Sequence, residues 1–131
     1  MITSASLRKL ARARLTDART LLRAGRYDGA VYMGGYVVEL ALKARICRTL
    51  NWEGFPETRS EFLPLASFKT HDLDVLLSLS GRERAIRTSH LAEWSAVASW
   101  DPEVRYRVPG SAARADAELL IRSAEVLLRV L

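Results

Sequence analysis

Leu7, Ala11, Leu15, Ala18 and Leu22 recur at steps of three and four, the spacing of one buried face of an α-helix. The pattern predicts a helix from about Ser4 or Ser6 to Ala24, with Arg8, Arg12, Arg19 and Arg23 together on another face. Gly25 supplies the positive φ that commonly ends a helix. A second helix is predicted from Tyr27 or Asp28 to about Leu50. Between Gly29 and Ala44 its only charges are Glu39 and Lys43, so it is apolar nearly all round and belongs in the middle of a bundle. Gly34 and Gly35 cost helix stability there, roughly 1 kcal/mol each relative to Ala, which predicts that another element approaches closely at that point.

Residues 51–69 contain Gly54, Pro56 and Pro64 and read as a long irregular connection. A short helix follows, with Thr70 as its N-cap, Leu73, Leu76 and Leu77 facing the core, and an end at Ser80-Gly81. The next is predicted from Arg82 to Trp100 with Ile86, His90, Trp94 and Val97 on its apolar face, until Asp101-Pro102 breaks it. After a loop over residues 102–110, Ser111 caps a last helix that runs to Leu131. Its buried stripe is Ala113, Ala117, Leu120, Ala124, Leu127 and Leu131, and the pairs Glu118–Arg122 and Glu125–Arg129 point outward. No stretch alternates as a strand does. The expectation is one all-α domain over residues 1–131, an antiparallel up-and-down bundle of four long helices and one short one.

At 49% hydrophobic and 27% charged residues, the 131-residue chain can build a core without metal or disulfides. Cys47 is the single cysteine, so no intrachain disulfide and no cysteine metal cluster can form, a composition that fits a reducing cytoplasm. The N-terminus leads straight into charged residues and no secretion signal is expected. The most apolar stretch, residues 29–42, is too short to span a bilayer. The net charge is +5, and residues 1–27 hold seven Lys/Arg against Asp17 alone. Such a surface attracts nucleic acid, nucleotides or an acidic partner. Arg outnumbers Lys 17 to 3, which a GC-rich genome also produces.

No phosphate loop of the Walker type and no His-Glu-x-x-His zinc signature is present; neither cofactor nor metal is expected. Four candidate constellations stand out. Tyr32, Tyr36, Glu39 and Lys43 share one face of the second helix. Opposite charges on an apolar helix need pairing or solvation, so this is either an internal ion pair steadying a seam or a polar site between helices. Lys69-Thr-His-Asp, with His71, opens a helix, where anions are favoured and where capping and packing also explain the residues. Arg105-Tyr106-Arg107 combines a phosphate-binding fork with a ring able to stack on a base, or forms a solvated loop. Finally, Arg84 and His90 have a spacing suited to metal-independent RNA cleavage, with His moving the proton and Arg stabilising the phosphorane; a core role for His90 is the plainer alternative.

Taken in order, four segments resemble the HEPN domain family of bacteria and archaea: Ala18-Arg-Thr-Leu-Leu-Arg-Ala-Gly-Arg-Tyr-Asp-Gly-Ala-Val-Tyr, Gly35-Tyr-Val-Val-Glu-Leu-Ala-Leu-Lys-Ala, Lys69-Thr-His-Asp-Leu-Asp-Val-Leu-Leu, and Trp100 followed by Arg105-Tyr106. The resemblance implies a helical bundle that forms homodimers and works beside a small nucleotidyltransferase in a toxin–antitoxin-type module, binding nucleotide or RNA. Glu39, Lys43, His71, Arg105 and Tyr106 are the polar set expected to line a ligand pocket. Ribonuclease members carry Arg, four to six residues, then His close to the final helix. Here that position holds Arg105-Tyr106 with no His after it, whereas Arg84 and His90 have the spacing one helix earlier. The alternatives are therefore a ribonuclease using Arg84 and His90, or His71 with Arg105 at a dimer cleft, and a plain interaction domain whose Arg stripe docks an acidic partner.

Overall fold

The computed structural model describes all 131 residues. It contains α1 (Ser4–Arg23), α2 (Tyr27–Thr49), α3 (Arg59–Phe62), α4 (Leu73–Leu79), α5 (Glu83–Ser89), α6 (Leu91–Val97) and α7 (Arg114–Val130), with 3-10 turns over Leu63–Phe68 and Pro102–Tyr106. The only extended pairing is a single bridge between Ile2 and Phe55. No helix is long and apolar enough to cross a membrane.

The predicted faces of the long helices are the buried ones, except that Leu22 is only partly buried and Ala113, at the cap ahead of the last helix, is exposed. In α1 the buried residues are Leu7, Ala11, Leu15 and Ala18. Gly25, at φ +74°, turns the chain, and the amide of Arg26 donates to Leu21 O at 2.8 Å, the wrap that satisfies the last carbonyls of a helix. Helix α2 buries residues on nearly every side, from Ala30 to Cys47, and packs against both α1 and α7. The start of α1 is fastened to the end of α2 by Ser4 Oγ donating to Ala44 O (3.0 Å), so the two run antiparallel. Asp28, at the start of α2, accepts from the amides of Gly110 (2.6 Å) and Ala112 (2.8 Å) just before α7, so α7 runs parallel to α2 and antiparallel to α1.

The bundle has three long helices rather than four, because the expected helix over residues 82–100 is two seven-residue helices that meet at His90 (φ −136°, ψ 37°). The bend buries Ile86 and Trp94 together while His90 stays half-exposed, so His90 is not a core residue. The connection over residues 51–69 is not irregular throughout. Thr58 and Glu61 form a capping box for α3, with Glu61 N donating to Thr58 Oγ1 (3.2 Å) and Thr58 N to Glu61 Oε2 (3.0 Å). The helix caps also shift. Asp72, not Thr70, caps α4, accepting from Val75 N at 3.1 Å, while Thr70 accepts from Asp72 N. Ser111 donates to Val108 O instead of capping α7, which starts after Ala113.

The outward pairs of the last helix differ as well. Glu118 pairs with Arg114, one turn earlier on the same helix (2.7 Å), and Glu125 with Arg19 of α1 (2.5 Å).

Candidate functional site

The face of α2 bearing Tyr32, Tyr36, Glu39 and Lys43 is polar in an otherwise apolar helix, and it organises the site. Glu39 is buried, its side chain 3% exposed. Its Oε1 accepts from Lys43 Nζ at 2.7 Å and from His71 Nδ1 at 2.9 Å. Its Oε2 is equally buried and has no partner. A buried carboxylate needs compensating donors, and the pair it recruits becomes oriented in return. His71, in the turn ahead of α4, is itself 60% exposed, so one ring nitrogen is tied to Glu39 while the rest of the ring faces solvent.

Lys43 also lies over the Phe55 ring, 5.3 Å from its centroid, within cation–π reach. Lys43 and His71 line one side of a cleft of about 480 Å³ whose apolar walls include Leu40, Phe55, Phe62 and Phe68, with Lys69 and Thr70 at its edge. Trp52 packs against Phe68 behind it, ring centroids 4.8 Å apart.

One helical turn back, Tyr36 meets Tyr32 edge-on (5.3 Å, 84°) and Trp100 edge-on (4.9 Å, 72°). Burial, then the Tyr32 hydroxyl and Glu39, push the Tyr36 phenol up to about 12, with Arg105 opposing. Trp100 is seated on Gly35: a Cβ at Gly35 would collide with Cδ2, Cε2 and Nε1 of the indole. Gly34 faces Leu120 and Ile121 of α7. The glycine pair thus packs within the chain, one residue toward α7 and the other toward Trp100.

The loop after Trp100 delivers Arg105 and Tyr106 to the same end of α2. The Arg105 guanidinium lies 4.8 Å from the Tyr106 ring centroid and is held more firmly protonated than usual by the phenol oxygens of Tyr106 first and Tyr32 second. Tyr106 is 72% exposed.

The expected polar set therefore falls into two groups on one helix face: Glu39, Lys43 and His71 at the cleft, and Arg105 with Tyr106 beside Tyr32. Arg84 and His90 are not joined to either group. Arg84 is exposed on α5, and His90 stands at the α5–α6 bend with no side-chain hydrogen bond to any residue. No three metal-ligating side chains are gathered anywhere. The aromatic walls Phe55, Phe62 and Phe68 were not foreseen. Their signal was large apolar residues inside a segment otherwise reading as loop.

A family model described as HEPN domain matches residues 4–131. No curated protein and no solved structure shows a significant match to the chain.

Proposed function

The chain belongs to the HEPN domain family, and from that premise we propose that it is a homodimeric module that binds a nucleotide or RNA at the polar face of α2. In this reading it works with a nucleotidyltransferase partner in a toxin–antitoxin-type system of the cytoplasm.

The observation that carries the proposal is the buried Glu39 carboxylate. It fixes Lys43 and His71 side by side at the rim of a cleft with aromatic walls. Lys43 and, in its imidazolium form, His71 through Nε2 suit phosphoryl oxygens, and the partly exposed Phe62 and Phe68 offer faces on which a base can stack. Arg105 and Tyr106 repeat the combination of guanidinium and ring farther along the same face. Cys47 takes no part, since burial pushes its thiol up and keeps it unreactive.

Calorimetric titration with mononucleotides and a short single-stranded RNA tests the proposal. Binding is expected, weakened about tenfold by His71→Ala and by Arg105→Gln, the loss typical of one charge-assisted hydrogen bond. A folded protein that binds neither ligand at millimolar concentration refutes it. RNA cleavage in EDTA, lost in Arg84→Ala and His90→Ala, would select the ribonuclease alternative instead.

A further inference from the structure

Five arginines meet at the end of the bundle where α1 begins and α2 ends. Arg8 and Arg12 lie one turn apart on α1, Arg45 and Arg48 in the last turns of α2, and Arg82 just before α5. Besides the Ser4–Ala44 bond, Thr49 Oγ1 donates to Ser80 O at 2.6 Å, fastening the turn before α5 to the end of α2. Four of the other twelve arginines find carboxylates, namely Arg14, Arg19, Arg87 and Arg114, and none of these five does. Arg8 Nη1, Arg45 Nε and Arg82 Nε are buried without an acceptor. Burial, and after it the facing charges of Arg12 and Arg48, shift the Arg8 guanidinium down; burial, then Arg48 and Arg82, do the same to Arg45. The five charges thus face one another.

The fold answers only part of this charge. Arg8 Nη2 donates to Leu128 O near the end of α7 (3.1 Å), and Arg48 sits in the last turn of α2. Each helix C-terminus carries roughly half a negative charge, so the two ends offset about one of five positive charges and leave about four. Guanidinium forks match phosphoryl oxygens in geometry as well as charge. A protein partner would want an apolar anchor, and the exposed large apolar residues beside the start of α1 and the end of α2 are only Met1 and Leu50. The strongly exposed aromatic ring, Tyr106, belongs to the other site.

We propose that this arginine cluster binds a run of closely spaced phosphates in an extended polyanion, gripping phosphate rather than base. The ligand chemistry is shared by a single-stranded nucleic-acid backbone and inorganic polyphosphate. The cluster is separate from the polar face of α2, because Arg45 and Arg48 leave that helix roughly 140–200° around the axis from Lys43.

The test is fluorescence anisotropy with a labelled single-stranded RNA of about 20 nucleotides, and competition by long-chain polyphosphate, over a series of salt concentrations. The variants are Arg12→Gln/Arg48→Gln, both exposed residues, and the charge-matched control Arg23→Gln/Arg26→Gln at the far end of α1. The cluster variant is expected to bind at least about tenfold more weakly and to lose about 1.5 from the log–log salt slope, with the control within about twofold of wild type. An effect on RNA alone, or on polyphosphate alone, identifies the source of the phosphates. Equal losses in cluster and control variants, no binding, or an oligoglutamate peptide bound as tightly would overturn the proposal. So would a loss that follows His71→Ala or Arg105→Gln and spares the cluster variant, which would place the phosphates on the polar face of α2.

Discussion

The indole of Trp100 rests on the bare backbone of Gly35, with no room for a β-carbon between them. Its ring also meets Tyr36 edge-on at 4.9 Å, so this one contact sets the position of the aromatic end of the candidate site. Gly35→Ala should therefore be strongly destabilising, by about 1–3 kcal/mol, because the obstruction is a rigid ring in a packed interior. At Gly34 the nearest atom to a new Cβ is Leu120 Cδ2 (2.5 Å), the mobile end of a side chain. Gly34→Ala should be nearly neutral, its crowding offset by the roughly 1 kcal/mol gained in helix propensity. Urea unfolding of the two variants checks the contrast, and equal effects would remove the explanation given for Gly35.

Glu39→Ala should cost about 3 kcal/mol, since it strands Lys43 in a mostly buried position and releases His71. Glu39→Gln keeps an acceptor for Lys43 and should cost about 1 kcal/mol. Thermal melts give the ranking; an Ala variant as stable as the Gln variant would show that the carboxylate does not hold the pair.

Asp28 is held below its ordinary carboxyl range by the amide of Gly110, then that of Ala112. Its folded pKa is depressed, so its contribution is complete above the unfolded value of 3.8 and is lost as pH falls through the lower folded one. In an NMR titration the Gly110 and Ala112 amide protons should shift together, with a midpoint below 3.8. A midpoint at or above 3.8 would mean that the two bonds do not favour the charged form.

Asp74 accepts from Trp94 Nε1 (3.0 Å) and Arg87 Nη2 (3.0 Å), joining α4 to α5 and α6 across the bend at His90. Asp74→Ala should cost about 1 kcal/mol, because water can reach the exposed carboxylate site and partly replace it, whereas Asp74→Asn should stay within about 0.5 kcal/mol of wild type. Denaturant unfolding followed by tryptophan emission measures both.

Local periodicity made the long helices legible: the stripes Leu7–Ala11–Leu15–Ala18 and Ala117–Leu120–Ala124–Leu127 are each one buried face. The same periodicity concealed the bend at His90, because Ile86, His90 and Trp94 keep a four-residue step straight through it and no Gly or Pro marks the place. On α2 the spacing alone united Tyr32, Tyr36, Glu39 and Lys43. That His71 shares an oxygen with Lys43 was not legible, since 32 positions separate His71 from Glu39. The arginine cluster was hidden for the same reason. Its members come from three places in the chain, and spacing shows only the pairs Arg8–Arg12 and Arg45–Arg48, each within its own helix.

The helix that presents Tyr36 and Glu39 is also the one that α1, α4 and α7 all lean on. Substitution on its polar face therefore disturbs the candidate site and folding stability together. His71 reaches one end of that face, and Arg105 and Tyr106 the other, from exposed turns, where a change of side chain leaves the bundle intact. The proposed binding face is consequently easiest to retune from its turns, with the central helix as a nearly immutable chassis.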